Sequence, residues 1–147
     1  MSERVFELEV MRYNPETDEK PHFQRYSVAC EEEWVVLDAL NRIKETIDPT
    51  LNYRWSCHMA VCGSCGMMIN GEPKLACKSF LRNYEGVIRV EPLAHFPVER
   101  DLVTVIDDFI GKLRRVGFHL HYIGNAHTLE VLRGVAQRGP NITLCLA

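Results

Sequence analysis

No apolar run in this 147-residue chain reaches the eighteen or so residues that a membrane-spanning helix requires, so direct insertion into a bilayer is not expected. No charged stretch followed by an apolar one opens the chain, and the oxidising compartment that stable disulfides need therefore has no support. Charge of one sign is scarce: 17 Lys and Arg against 20 Asp and Glu leave a formal net charge of −3, which argues against nucleic acid as a partner. The basic run Lys112, Arg114 and Arg115 reads as a solvated helix face. Internal repeats, low-complexity stretches and glycine motifs that cradle phosphates are all missing. The six histidines have neither metal-ligand nor nucleophile spacing, and nothing supplies a general acid, a hydride acceptor or a dicarboxylate clamp. No catalytic residue is assigned to this chain. Its 46% hydrophobic residues suffice for one ordinary core, or for one small domain and part of a second.

What the chain does have is cysteine in one place. Cys57, Cys62, Cys65 and Cys77 fall within 21 residues as C-x4-C-x2-C-x11-C, the spacing with which plant-type ferredoxins hold a 2Fe-2S cluster. A rhomb of two irons and two sulfides takes two thiolates on each iron, so one loop must approach it from several directions. Gly63 and Gly66 are expected to take positive φ there and to turn backbone N–H groups toward sulfur. The oxidised centre is doubly negative and reduction adds a further charge, so nearby cations favour the reduced form; Arg54, His58, Lys74 and Lys78 are nearest in sequence. Imidazole titrates near neutrality, so His58 either makes the cluster potential depend on pH or is solvated and electrically weak; the sequence leaves both readings open.

Other uses of these thiols fit less well. Structural zinc takes its ligands as two separated C-x2-4-C knuckles, and only Cys62/Cys65 forms one. A thioredoxin-like reading of Cys62-Gly-Ser-Cys65 leaves Cys57 and Cys77 unexplained. Cys30 and Cys145 carry no spacing signal and read as buried or incidental thiols.

Periodicity predicts an α+β arrangement. Phe6, Leu8 and Val10 alternate with polar neighbours in a strand over Arg4 to Tyr13, and Phe23, Tyr26 and Val28 mark a second over Phe23 to Cys30. Val36, Leu37, Leu40, Ile43 and Ile47 recur at helical spacing between Trp34 and Asp48-Pro49. Asn70-Gly71 suits a type I′ turn joining Met67–Ile69 to Lys74–Ala76, which returns the chain so that Cys77 meets the loop, and a last strand runs from Val87 to Val90. This order describes a β-grasp, the sheet of plant-type ferredoxins. A helix is expected from Asp101 to Leu113, with Val103, Ile106, Ile110 and Leu113 on one stripe.

The wording of the segment resembles one family, the iron-sulfur subunit of succinate dehydrogenase and fumarate reductase, with the bacterial fumarate reductase branch nearer. Tyr53-Arg54-Trp55-Ser56-Cys57, Cys62-Gly63-Ser64-Cys65-Gly66-Met67, Asn70-Gly71, Lys74-Leu75-Ala76-Cys77 and His95 to Leu102 carry the likeness, with a fainter echo at Tyr122 to Asn125. His58 departs from it, standing where relatives usually carry arginine. The resemblance implies an electron relay between a flavoprotein subunit and a quinone site in membrane anchor subunits, located in the cytoplasm on the inner face of the cell membrane. It implies that Cys57 and Cys62 bind one iron, and Cys65 and Cys77 the other. The competing class is a free-standing 2Fe-2S ferredoxin.

Residues 1–100 are thus expected to form a 2Fe-2S ferredoxin-type domain, and 101–147 the beginning of a helical second domain. Full-length relatives place 4Fe-4S and 3Fe-4S clusters in that second domain on C-x2-C-x2-C-x3-C-P type runs. Such runs do not occur here, so neither cluster is expected, and a truncated or frame-shifted gene is the leading expectation for the tail.

Overall fold

In the computed structural model, residues 3–115 are described. Strands β1 (Glu3–Arg12) and β2 (His22–Glu31) form an antiparallel hairpin, followed by helix α1 (Val36–Thr46). After a long loop come β3 (Gly66–Ile69), β4 (Glu72–Leu75) and β5 (Val87–Glu91), then a small hairpin of β6 (Val98–Arg100) and β7 (Val103–Thr104), and helix α2 (Asp107–Arg115). The large sheet runs β2-β1-β5-β3-β4; β1 and β5 are parallel and the other neighbours antiparallel. This is the expected α+β β-grasp. The chain divides into two compact units between Val105 and Ile106, and α2 falls in the second. The likeness at Tyr122 to Asn125, Cys145 and the tail after Arg115 lie outside the described residues.

Alternation decides which face of the sheet is inside. Phe6, Leu8 and Val10 of β1 are buried, while Glu7 and Glu9 meet Ser27 and Arg25 across the strand pair on the opposite face. On β2 the same period of two buries Tyr26, Val28 and Cys30. Phe23, expected with them, is out of phase: it lies 37% exposed under Arg89, whose guanidinium carbon is 3.9 Å from the ring centroid. Val36, Leu37, Ala39, Leu40 and Ile43 of helix α1 share one buried cluster with Ile88 and Val90 of β5 and Met67 and Ile69 of β3. Each fully buried Leu or Ile there contributes on the order of 1.5–3 kcal/mol.

Local chemistry sets the element ends. Before α1 the Val35 N–H donates to Asp38 Oδ2 at 3.0 Å, filling one of the donors a helix start leaves open. At its far end Lys44 Nζ donates to the Leu51 carbonyl at 2.6 Å. Asn70 and Gly71 have φ of 50° and 80°, the two positive values of a type I′ turn. The Asn70 Oδ1 accepts the Arg89 N–H at 2.7 Å, which locks the turn onto β5.

The helix expected to start at Asp101 begins at Asp107 instead. Asp101 has φ of 49° and is buried, and Val103 and Thr104 are drawn into pairing with β6. The reason is Arg12, a charged residue buried at the end of β1. Its Nε donates to Asp101 Oδ1 at 3.0 Å, Nη2 to Thr50 Oγ1 at 2.8 Å, and Nη1 to Tyr26 Oη, Gln24 Oε1 and Asp48 Oδ2. Burial works against the charge of Arg12, but the bonds to Asp101 and Tyr26 outweigh it and hold the guanidinium further above its ordinary pKa. Burial also pushes Asp48 upward, yet bonds from Thr50, Tyr26 and Arg12 prevail and keep its carboxyl well below the usual range.

Arg12→Ala leaves Asp101 buried without its counter-charge, and we expect a loss of about 3–5 kcal/mol in urea unfolding. Arg25→Ala, which breaks the exposed pair with Glu9, costs less than about 1 kcal/mol. Because the folded-state pKa of Asp48 is depressed, its stabilisation is complete above about pH 4 and is lost as pH falls from there toward the folded value. The urea midpoint of Asp48→Asn therefore declines less steeply in acid than that of the natural protein.

Candidate metal centre

The loop between α1 and β3 holds three of the four cysteines and has no regular structure, so its shape depends on where its ends are fastened. At its entry the Asn52 N–H donates to Asp101 Oδ2 at 2.9 Å, and the Leu102 N–H donates to the Asn52 carbonyl at 3.2 Å. Tyr53 donates its hydroxyl to Asn41 of α1 at 2.7 Å, and burial pushes that phenol up to about 12. Arg54 donates to the Thr104 carbonyl at 3.2 Å and pairs with Glu99. At the exit, Cys65 stands one residue before β3, and Cys77 lies in a short 3-10 turn (Ala76–Lys78) one residue beyond β4. Gly66 faces Leu75 across the hairpin, and the Ala76 N–H donates to the Cys65 carbonyl at 3.1 Å. Eleven intervening residues thus return the fourth cysteine to the third.

Inside the loop the backbone turns around Cys57. His58, Ala60 and Gly63 have φ of 56°, 60° and 73°. Interrupting ordinary backbone with left-handed residues curls successive N–H groups toward one side, the geometry of an anion nest. The N–H groups of Met59, Val61 and Cys62 each lie 3.4 Å from the Cys57 Sγ, and that of Ser64 lies 3.5 Å from the Cys62 Sγ. Hydrogen bonds of this kind favour sulfur in its anionic form.

The expectation that Gly63 and Gly66 both supply positive φ holds only for Gly63. Gly66 serves close approach: a Cβ there would stand 3.2 Å from the Gly63 carbonyl oxygen. The other left-handed positions, His58 and Ala60, were not singled out for their backbone. Histidine is among the non-glycine types that tolerate this region, a signal the sequence did carry; alanine gives none. Each such residue costs roughly 1–2 kcal/mol of backbone strain.

The four cysteines fall into two pairs. The Cys62 N–H donates to the Cys57 Sγ at 3.4 Å, and the Ala76 N–H beside Cys77 donates to the Cys65 carbonyl at 3.1 Å. The pairs differ in setting. Cys62 is exposed and Cys57 half-buried, whereas Cys65 and Cys77 belong to the core. The Ser64 hydroxyl, with the backbone amides of Cys57 and Ser64, pulls the Cys62 thiol down to about 6; burial pushes that of Cys65 up. Among the described residues no three His, Cys, Asp or Glu side chains converge on a single ion position. Cys30 is buried on β2, apart from the loop in sequence.

Three of the four nearby basic residues, all but Lys78, are committed elsewhere. Arg54 pairs with Glu99, Lys74 with Glu72, and His58 Nε2 lies 2.9 Å from Asp38 Oδ1. Each is thereby partly neutralised, so the donors aimed at sulfur are backbone amides and the Ser64 hydroxyl.

The profile of a family described as "2Fe-2S iron-sulfur cluster binding domain" matches residues 7–111. The chain belongs to that family. Among curated relatives, the fumarate reductase iron-sulfur subunit of Haemophilus influenzae is 54% identical over 121 residues, covering 82% of this chain and 46% of that protein. The corresponding subunit of Escherichia coli O6:H1 is 51% identical over 123 residues, 84% of this chain and 50% of that protein. The succinate dehydrogenase iron-sulfur subunit of Paracoccus denitrificans is 41% identical over 109 residues, 74% of this chain and 42% of that protein. The chain thus spans about half the length of the curated relatives it matches. Among solved structures, a chain of the Mycobacterium smegmatis Sdh1 complex in the apo form superposes with a TM-score of 0.75 at 29% identity, covering 99% of this chain and 61% of that one. An iron-sulfur cluster is the group this 2Fe-2S family binds, and paired cysteines under sulfur-directed amides fit it.

Two glycine substitutions separate strain from crowding. Gly63→Ala meets no atom within 4 Å but must hold φ at 73°, so it lowers stability by about 1–2 kcal/mol and keeps its cluster. Gly66→Ala sets its methyl group against backbone and reduces the iron retained per chain after anaerobic purification more than Gly63→Ala does.

Proposed function

We propose that Cys57 and Cys62 bind one iron of a 2Fe-2S cluster and Cys65 and Cys77 the other, and that the chain relays single electrons as part of an iron-sulfur subunit of the fumarate reductase and succinate dehydrogenase type. The observation that carries this reading is the grouping of the cysteines, Cys57 with Cys62 in the nest through the Cys62 N–H, and Cys65 with Cys77 through the Ala76 N–H bond to the Cys65 carbonyl. Two thiolates per iron is what a two-iron rhomb requires, whereas one tetrahedral zinc needs four on a single point. When bound, such a cluster takes up one electron and gives it back.

The chain's own groups bias that exchange. The amides of Met59, Val61 and Cys62 stabilise negative charge on the Cys57 sulfur and so favour reduction. Cys65 and Cys77 keep the inner side dry, 2% and 7% exposed. The outer side, by Cys57 and Cys62, carries exposed apolar side chains: Trp55, Met59 and Val61. They suit a dry contact with a flavoprotein subunit, across which the electron passes. Dicarboxylate chemistry belongs to that flavoprotein in this reading, and quinone chemistry to membrane anchor subunits. No helix among the described residues is long and apolar enough to cross a membrane. A peripheral place on the cytoplasmic face of the membrane, through partners, is part of the proposal. So is the division into a ferredoxin-type domain and a further part without cluster ligands, with the boundary after Val105 rather than at the 100/101 expected from the sequence. Of the six cysteines only Cys30 and Cys145 are left over, so this chain holds one cluster.

Anaerobically purified chain should be red-brown, contain about two irons and two acid-labile sulfides, and give one paramagnetic centre on one-electron reduction. Alanine at position 57, 62, 65 or 77 should abolish that signal, and Cys30→Ala should leave it intact. A folded, colourless protein containing zinc overturns the cofactor. Co-purification with a flavoprotein separates the subunit from a free-standing 2Fe-2S ferredoxin, which would run alone.

A further inference from the structure

The nest around Cys57 begins at His58, a residue with a side chain held at φ of 56°. The reason it stays there is on the neighbouring helix. His58 Nε2–H donates to Asp38 Oδ1 at 2.9 Å, and the other oxygen of the same carboxylate accepts the Val35 N–H at 3.0 Å. Asp38 is the third residue of α1, whose first turn is seated on the segment carrying the fourth cysteine by the Val36 N–H bond to the Ser79 carbonyl at 2.8 Å. Trp55 stands edge-on to the His58 ring, with centroids 6.2 Å apart. The imidazole is therefore held from two sides, by a ring from its own loop and by a carboxylate from the rigid frame.

We propose that Asp38 is a positioning residue for the cluster. By clamping the His58 side chain to the start of α1, it keeps the left-handed turn in register and so keeps the amides of Met59, Val61 and Cys62 aimed at the Cys57 sulfur. This rests on the 2Fe-2S reading above. Asp38 touches no thiol in this account; it acts through the backbone that His58 begins. The role needs a hydrogen-bond acceptor at position 38, and it needs a side chain at position 58. An exposed pair of this kind adds little to global stability, so its effect appears in the cluster's electronic balance.

The test uses the full chain, loaded anaerobically, and reads the midpoint potential by redox titration of the visible and paramagnetic signals. Asp38→Ala loosens the nest and removes donors that favour the more negative, reduced form; it also removes a negative charge, which by itself favours reduction. In His58→Gly the left-handed turn needs no clamp, so the same substitution there reports the charge alone. The change in the reduced-to-oxidised ratio at a fixed ambient potential is therefore about five- to tenfold lower in the natural background than in His58→Gly, the worth of one net hydrogen bond. Asp38→Glu keeps the charge and a carboxylate acceptor and holds the natural ratio. Loss of the helix cap lowers thermal stability in both backgrounds alike, which separates positioning from capping. An equal change in both backgrounds overturns the proposal, and so does an Asp38→Glu that behaves like Asp38→Ala. If Asp38→Ala does not accumulate, His58→Ala against His58→Gly decides: alanine keeps the strained side chain without the clamp and must give the lower ratio, and equal ratios overturn the proposal. If the natural chain takes up no cluster at all, the 2Fe-2S reading fails, which is distinguishable from failure of the clamp.

Discussion

A single carboxylate closes the part of the chain that carries the thiols. Asp101 accepts from Arg12 at the end of β1, from the Tyr13 N–H, and from both the backbone and the side chain of Asn52. Residues 52 and 101 bracket the irregular loop, the β3–β4 hairpin and Cys77, so one buried ion pair fixes both ends of the excursion to the edge of the sheet. Closing so long a loop costs entropy that grows only slowly with length, and a buried charge pair with hydrogen-bond partners on each Arg12 nitrogen and both Asp101 oxygens holds it shut. The same guanidinium reaches Asp48 and Thr50 beyond the end of α1, so helix, sheet and loop share one anchor.

Within that closed segment the two halves of the site are built by different means. Cys65 and Cys77 are placed by regular structure, a four-residue strand pair with a type I′ turn, and they sit in the core because the turn after β4 packs against both α1 and β3. Cys57 and Cys62 are placed by strained backbone with little burial. What offsets the strain is electrostatic: each left-handed residue turns amides toward sulfur, and those contacts gain strength when the sulfur is anionic. Without negative charge in the nest, the loop holds an unfavourable conformation with weak partners. This makes the outer half the part of the fold most dependent on what it binds.

The family likeness and the cysteine spacing were legible because ligand count and spacing are properties of the chain itself. The strand-strand-helix-hairpin-strand order was legible too, since alternation of Phe6, Leu8 and Val10 and the helical recurrence of Val36 to Ile43 report burial directly. The misses have a common cause. Phe23 was grouped with Tyr26 and Val28 as a mark of the second strand, yet strict alternation from Tyr26 puts it on the other face, where Arg89 covers it. Asp101 to Ile106 was read as helix because its apolar stripe has helical spacing, while Arg12, 89 positions earlier, holds Asp101 in a conformation no helix accepts. The strain at Ala60 left no trace at all, since alanine is not among the residue types that favour positive φ.

The sequence by itself determined which atoms are available: four thiols at a spacing that suits two irons, an Asn-Gly turn that returns the fourth to the third, and alternating apolar positions sufficient for a β-grasp core. Tertiary structure alone decided which of those cysteines are dry and which are open, and that backbone amides point at the Cys57 and Cys62 sulfurs while Arg54, His58 and Lys74 pair with carboxylates. The physical reason is range. Spacing and periodicity act over a few residues along the chain, whereas the aim of an N–H group or the partner of a cation is set by residues such as Asp38, Glu99 and Asp101 that meet the loop only after the chain has folded.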